Sequence, residues 1–316
     1  MRWRLWLQTG SAKTTETRVS GKGIAHVTDA PQTEVLATAP KADGRAYDMR
    51  RLSYAGTFKN PFKAGTIRAI EWLTAKVTLL RLIRKFEQSG APMGAPFWPK
   101  AIHHMGIRID TPDEEIARIP ATGPVVVVAN HPSGLVDGMV MAELVNRVRS
   151  DFKILTRSLL TGIPEIEEFM IPVPFPHEDN ARELGLQMRD ETIKHLKAGG
   201  VIILFPAGKV AMSEGWWGPA IESEWNVFTH KIVRSSGATI LPVYFPGQNS
   251  RLFQIANQVS DTVRQGLLLY EIKRALFKPQ RPFIGHPIPA SELDKWPGNP
   301  RGFLAWLREL TLSLGR

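Results

Sequence analysis

The chain has 316 residues, of which 43% are hydrophobic, and it carries a formal net charge of +10 with a pI of about 9.9. This hydrophobic content suffices for a substantial core and excludes a wholly disordered protein. The absence of cysteine excludes disulfides, thiolate metal sites and a cysteine nucleophile, while the positive charge indicates anionic partners such as an acidic carrier protein, an anionic membrane surface or nucleic acid.

The first part of the chain predicts neither a core element nor a membrane span. Residues 1–45 are rich in Thr, Ala, Lys, Gly and Pro and have no sustained apolar period, which predicts a flexible arm. The chain contains no run of ~20 apolar residues free of charge, and the Trp/Leu patch at its start is too short for a signal peptide. We therefore predict a cytoplasmic protein that associates peripherally with the inner face of the membrane.

Residues 46–99 form a basic and apolar segment with a long helical stretch from Thr66 to Phe86. Ile67 and Leu73 follow helical spacing, whereas Trp72 lies off that face and basic residues interrupt the stretch. Two interpretations are open. The stretch is either a helix packed on the main domain or an interfacial helix that faces the membrane, with its basic side chains on anionic lipid.

The pattern changes from about residue 100. Short β-branched runs, typical of buried strands, occur at VVVVA (125–129), VIILFP (201–206) and TILPVYF (239–245). The last two each follow a helical period that ends in glycine, which predicts parallel neighbours. Residues 100–290 are thus predicted to form an α/β domain with a single mixed, largely parallel sheet flanked by helices. A C-terminal amphipathic helix is predicted within residues 291–316.

The stretch VVVVANHPSGLVDG (125–138) carries the candidate chemistry. Sites in parallel α/β sheets form where strands end, and His131 comes directly after such an end. Asp137 falls in the first turn of the next helix, where the dipole tolerates a carboxylate. If the chain bends between them, the carboxylate orients the imidazole, and the pair can take a proton from a hydroxyl group. The alternative is that His131 is an ordinary turn residue and Asp137 an ordinary helix-start residue.

The stretch also resembles the His–Asp block of the PlsC-like glycerolipid and lysophospholipid acyltransferases, although five residues separate the pair here instead of the usual four. LFPAGKV (204–210) resembles the FPEG block of that family, with Ala207 in place of glutamate, and LPVYF (241–245) resembles its last block, centred on Pro242. The blocks occur in family order. They are most similar to those of the hemolysin-like or ornithine-lipid acyltransferase branch.

The resemblance implies a glycerol-3-phosphate acyltransferase-like fold and an O-acyltransferase activity. His131 would deprotonate the hydroxyl of a lyso-lipid as it attacks an acyl thioester, and Asp137 would stabilise the imidazolium. The thioester, on acyl carrier protein or coenzyme A, is a co-substrate, and no metal or other cofactor is implied. Backbone N–H groups near Gly134 or Gly208 would stabilise the oxyanion. The residues predicted to contact substrate are Asn130, Ser133, Gly134, Arg157, Phe205, Pro206, Gly208, Lys209 and Pro242.

Two departures from the family pattern bear on the acceptor. Ala207 replaces the usual glutamate, and only Arg182 and Arg157 lie near the place of the family's arginine block. We therefore predict that the acceptor is a lyso-ornithine lipid or a lysophospholipid rather than glycerol 3-phosphate.

Other signals are weaker. The tryptophan-rich stretch SEGWWGPAIESEWN (213–226) is either a loop that covers the site, a wall for the acyl chain or an insertion into the membrane interface. His103-His104 and His177-Glu178-Asp179 lack the spacing of a helical zinc site, so no metal site is predicted. The chain has no basic stripe interleaved with aromatics, which argues against nucleic acid as a partner.

The alternative to an active enzyme is a catalytically weak family member that binds or perturbs membranes in a hemolysin-like manner.

Overall fold

The computed structural model describes residues 52–57, 60–156, 163–174 and 180–316. The predicted flexible arm of residues 1–45 lies outside the described residues. Arg157 and the stretch His177-Glu178-Asp179 also lie outside the described residues.

The described residues form an alternation of helices and strands. The helices are α1 (Pro61–Glu71), α2 (Val77–Gln88), α3 (Phe97–His104), α4 (Asp113–Ile116), α5 (Leu135–Asn146), α6 (Ala181–Lys197), α7 (Phe228–Ser236), α8 (Arg251–Val259), α9 (Asp261–Gly266), α10 (Leu268–Ala275) and α11 (Pro300–Ser313). The strands are β1 (Val125–Ala129), β2 (Phe152–Thr156), β3 (Met170–Pro172), β4 (Val201–Leu204), β5 (Met212–Ser213), β6 (Ala220–Ile221), β7 (Thr239–Tyr244) and β8 (Phe283–Ile284). A π-helical turn (Trp72–Lys76) joins α1 to α2, and 3-10 turns precede β3 and α11.

The main sheet has the strand order β3-β2-β4-β1-β7-β8. All neighbouring pairs are parallel except β7 and β8, which are antiparallel. In the register of the central strand, Val125 lies beside Val201 of β4 on one side and Thr239 of β7 on the other. The predicted mixed, largely parallel sheet flanked by helices is therefore confirmed.

The central strand β1 is buried along its whole length because helices cover both faces of the sheet. Val125 and Val127 pack into a core with side chains of α3 and α5. Val126 and Val128 pack into a second core with side chains of α7 and α11. Burial on both faces explains why β1 reads as a continuous apolar run instead of an alternating one.

The chain after residue 250 forms three successive helices, α8, α9 and α10. Ser260 has an extended backbone (φ −164°, ψ 127°), which ends α8. The Ser260 side chain then accepts a hydrogen bond from the N–H of Thr262 and so caps α9. This break turns α9 onto α1, where the two helices pack closely.

The N-terminal helical segment buries only part of the face that its spacing predicted. Ile67 of that face is buried. Leu73 is 87% exposed, whereas Glu71, Ala75 and Leu79 are buried. These buried positions repeat every four residues, a spacing that the wider π-helical turn accommodates. No helix among the described residues is long and apolar enough to cross a membrane.

Glycine at position 266 permits the close approach of α9 to α1. A Cβ added at Gly266 would lie 2.9 Å from the Cβ of Ile70, whereas one added at Gly65 would meet nothing within 4 Å. We expect Gly266→Ala to lower the free energy of unfolding by about 1–3 kcal/mol through overpacking. Gly65→Ala should raise it by about 0.5–1 kcal/mol because alanine favours the helix. Urea denaturation measures both, and equal shifts in the two variants would contradict the close contact.

Candidate active site

The turn between β1 and α5 brings His131 against Asp137. The distance from His131 Nδ1 to Asp137 Oδ2 is 3.1 Å. Asp137 lies in the first turn of α5, as predicted, and its side chain is fully buried, whereas 19% of the His131 side chain remains exposed. The hydrogen bond expected from the spacing of the two residues is therefore present, and the imidazole is accessible while its partner is not.

Asp137 Oδ2 also accepts two backbone hydrogen bonds. The N–H groups of Ser133 and Gly134 donate to it at 2.7 and 3.0 Å. Because this oxygen is an acceptor in all these contacts, we assign the proton of the neutral imidazole to Nδ1 of His131. Nε2 is then left with a free lone pair, which is the arrangement that a general base requires.

Gly134 and Gly208, the glycines near which oxyanion donors are predicted, use their own N–H groups within their turns. The N–H of Gly134 donates to Asp137. The N–H of Gly208 donates to the carbonyl of Phe205 at 2.9 Å, within the turn that follows β4. The physical reason is the same at both positions: each tight turn uses its own N–H group to close.

A cavity of ≈ 790 Å³ opens beside His131. The imidazole stacks on the ring of Phe205, with ring centroids 4.1 Å apart and an interplanar angle of 24°. Besides His131, the predicted residues that line this cavity are Gly134, Phe205, Pro206, Gly208 and Lys209. The ends of β1 and β4 thus bring the His–Asp block and the block at residues 204–210 to one site.

Three residues predicted to contact substrate do not line this cavity and make structural contacts. The buried amide of Asn130 donates to the carbonyl of Phe245 at 2.8 Å and accepts from its N–H at 2.7 Å, which ties the end of β1 to the end of β7. Pro242 is buried within β7 beside Val128 of β1. Ser133 is not among the lining residues and contributes its N–H to Asp137. Arg157 lies outside the described residues.

Glu222 is a site residue that the sequence analysis missed. Its Oε2 accepts a hydrogen bond from the N–H of His131 at 3.2 Å, and its Oε1 accepts one from the indole of Trp225 at 3.2 Å. The guanidinium of Arg308 in α11 binds the backbone carbonyls of Glu222 and Ser223. Burial raises the pKa of Glu222, and the hydrogen bonds from His131 and Trp225 partly oppose that shift. No local pattern distinguishes this glutamate from its acidic neighbours in the same stretch.

The tryptophan-rich stretch contains a short hairpin of β5 and β6 and contributes Asn226, but no tryptophan, to the cavity lining. Trp225 is buried, whereas Trp217 is 75% exposed. The stretch therefore supports the turn that carries His131, and its tryptophans do not line this cavity. The described residues also contain no group of three His, Cys, Asp or Glu side chains that could hold a metal ion.

The fold and the site define an α/β domain with a His–Asp pair at a strand end beside a cavity. Residues 112–246, which include that pair, match the sequence model of the Acyltransferase family. This segment is less than half of the chain, and within it the resemblance to acyltransferases that the sequence blocks predicted is confirmed.

Two curated relatives carry the same name, lyso-glycine lipid O-acyltransferase. The protein from Phocaeicola vulgatus is 27% identical over 192 residues, which cover 57% of this chain and 64% of the relative. The protein from Bacteroides thetaiotaomicron is 24% identical over 220 residues, which cover 66% of this chain and 76% of the relative. The match thus spans slightly less than two thirds of the first relative.

Among solved structures, the chain is similar to the crystal structure of the 1-acyl-sn-glycerophosphate acyltransferase PlsC from Thermotoga maritima. The alignment covers 80% of this chain and 86% of that one, with a TM-score of 0.46 and 17% sequence identity.

The raised pKa of Glu222 leads to a pH-dependent stability. Because the folded state holds this proton more tightly than the unfolded state, whose reference pKa is 4.5, the contribution of Glu222 to stability should be lost as the pH rises from 4.5 through its folded-state pKa. Glu222→Gln cannot titrate there, so the stability of wild type relative to this variant should fall over that window. Urea denaturation across the pH range measures the difference.

Glu71 provides the matched control, because burial also raises its pKa and it does not contact His131. Glu71→Gln should show the same stability trend with unchanged acyl transfer, whereas Glu222→Gln should also lower activity. A stability difference between wild type and Glu222→Gln that is constant with pH would contradict the assignment.

Proposed function

We propose that the protein is an O-acyltransferase that moves a fatty acyl group from an acyl thioester to the hydroxyl of a lyso-lipid. The observation that carries the proposal is the hydrogen bond between His131 Nδ1 and Asp137 Oδ2 at a cavity that the imidazole lines. The names of the curated relatives support the same reaction type.

The reaction follows from the chemistry of these groups. Nε2 of His131 takes the proton of the acceptor hydroxyl, and the hydroxyl oxygen attacks the thioester carbonyl carbon. The resulting tetrahedral intermediate collapses, the C–S bond breaks, and the leaving thiolate takes the proton back from the imidazolium. Asp137 stays ionised and stabilises the imidazolium meanwhile. Because a thioester is already activated, no covalent enzyme nucleophile is needed, in agreement with the absence of cysteine.

We further propose that the acceptor is a lyso-lipid built on an amino acid, such as a lyso-ornithine lipid, with a lysophospholipid as the next choice. An amino acid linked to a fatty chain through its amine keeps a free carboxylate. Both relatives are named for a lyso-glycine lipid, and glycine is an amino acid. The donor is acyl carrier protein or coenzyme A thioester, and the acidic carrier suits the net charge of +10.

The proposed place of action is the inner face of the membrane. The segment from α1 to α2 exposes large apolar side chains, with Phe62 at 86%, Trp72 at 55% and Leu73 at 87% exposure. Exposed Arg68 and Arg81 belong to the same segment. Apolar and basic side chains on one helical segment favour binding in the headgroup layer of anionic membranes.

The function is tested by acyl transfer with purified protein. Acyl carrier protein and coenzyme A thioesters would be offered against a panel of lyso-lipids in mixed micelles. His131→Ala is expected to lower the rate by about 100- to 10,000-fold, because it removes the general base. The exposed His286 gives a matched control, and His286→Ala should retain full activity.

Undiminished transfer by His131→Ala would refute the mechanism. Failure of wild type with every donor and acceptor, while it still binds anionic vesicles, would favour the catalytically weak, membrane-binding alternative.

The membrane proposal is tested with Leu73→Glu. A leucine side chain that becomes buried in the membrane contributes about 1.5–3 kcal/mol to binding. Without it, partitioning onto anionic vesicles should weaken roughly 10-fold or more. Activity on short-chain, micelle-free substrates should not change. Leu186→Glu is the control, because Leu186 of α6 is also an exposed leucine (47%) and lies outside this segment. Equal partitioning of the two variants would show that α1 and α2 are not the membrane-binding surface.

A further inference from the structure

The charged side chains that line the cavity beside His131 are cationic. They are Lys209, in the turn after β4, and Arg264, in α9. Among the described residues no carboxylate lines this cavity. Such a lining favours an anionic group within the cavity, in addition to the reacting hydroxyl and thioester.

Arg264 has the properties of an anion-binding residue that lacks its ligand. Its side chain is only 13% exposed, and its Nε is buried without a hydrogen-bond partner. Its Nη2 lies 3.1 Å from Oδ1 of Asp261, but that carboxylate is 76% exposed, so the ion pair is a weak one. A buried, unpaired guanidinium donor is unfavourable, and the planar guanidinium matches the paired oxygens of a carboxylate or phosphate.

The position of Arg264 is set by contacts outside the region that matches the family model. Ser260 caps α9 at its start, and the close contact between Gly266 and Ile70 of α1 holds its end. The neighbouring residues Gln265 and Leu268 also line the cavity. The helix is therefore fixed against the cavity rather than exposed on the surface.

We propose that Arg264, assisted by Lys209, binds the anionic headgroup of the acceptor lipid, a carboxylate or a phosphate, and so places its hydroxyl at His131. This inference rests on the proposed acyltransferase function. It supplies the anion contact that the sequence analysis sought at Arg182 and Arg157.

The donor also carries phosphate, at the far end of its pantetheine arm. We assign Arg264 to the acceptor because it shares one cavity with His131. A headgroup charge lies near the acceptor hydroxyl, whereas the donor phosphate is separated from the thioester by the whole length of the pantetheine arm.

The experiment compares wild type with Arg264→Gln on two acceptors at saturating donor. One acceptor is a lyso-lipid with a free carboxylate and the other is an uncharged monoacylglycerol. Loss of one or two charge-assisted hydrogen bonds should raise KM for the carboxylate lipid by about 10- to 100-fold with a smaller effect on kcat. The KM for monoacylglycerol should not change. Arg264→Lys should recover part of the loss, and Lys209→Gln should show a smaller effect in the same direction.

Arg189→Gln is the matched control. Arg189 of α6 also places Nη2 3.1 Å from Oδ1 of an aspartate, Asp190, but it is more exposed and does not line the cavity. This variant should behave as wild type with both acceptors.

Three results would overturn the inference. A higher KM for the thioester, with the acceptor KM unchanged, would assign Arg264 to the donor phosphate. Equal losses with charged and uncharged acceptors would show a structural role. Unchanged kinetics would show that Arg264 binds neither substrate.

Inactive wild type would count against the proposed function, and headgroup binding is then tested without turnover. Calorimetric titration with mixed micelles of the same two lipids should show weaker binding of the carboxylate lipid to Arg264→Gln than to wild type. Equal binding would refute the inference on its own.

Discussion

Three hydrogen bonds converge on Oδ2 of Asp137, from the N–H groups of Ser133 and Gly134 and from Nδ1 of His131. The carboxylate lies buried in the first turn of α5, where the helix dipole favours negative charge. Gly134 takes φ 75°, a left-handed conformation that lets the chain reverse before the helix begins. One carboxylate oxygen therefore determines the shape of the turn and the orientation of the imidazole together. A change at Asp137 would alter both, which separates it from residues that merely line the cavity.

The backbone of His131 is held from outside this turn as well. Its N–H donates to Glu222, and its carbonyl accepts from the N–H of Ala211 at 2.9 Å. The residue before it, Asn130, is tied to the end of β7. With these groups engaged, the side chain of His131 is left to face the cavity, where Phe205 stacks on it. Preorganisation of this kind lowers the entropic and reorganisation cost of proton transfer, because the base is in place before the substrate arrives.

The parts that sequence predicted correctly depend on local patterns. The buried strands, the position of Asp137 in the first turn of its helix and the family assignment all follow from short stretches of chain.

The features that the sequence did not predict depend on distant contacts. Glu222 reaches His131 across 91 positions, and Arg264 reaches the cavity only because α9 packs on α1. The engagement of the N–H of Gly134 by the side chain of Asp137, three residues away, was also not predicted. The buried face of the N-terminal helices was predicted only in part, because a π-helical turn changes the spacing of buried positions, which helical periodicity does not anticipate.

The most direct test of the account is the protonation state of each ring nitrogen of His131, measured by ¹⁵N NMR of the imidazole at a pH where it is neutral. The chain has 8 histidines, so the His131 signals would be identified by their loss in His131→Ala. We expect a protonated Nδ1 and an unprotonated Nε2 in wild type. The preference for this tautomer should be weaker in Asp137→Asn. A proton on Nε2 with Nδ1 unprotonated would mean that Nε2 has no lone pair for the acceptor hydroxyl, and would contradict the role of His131 as the general base.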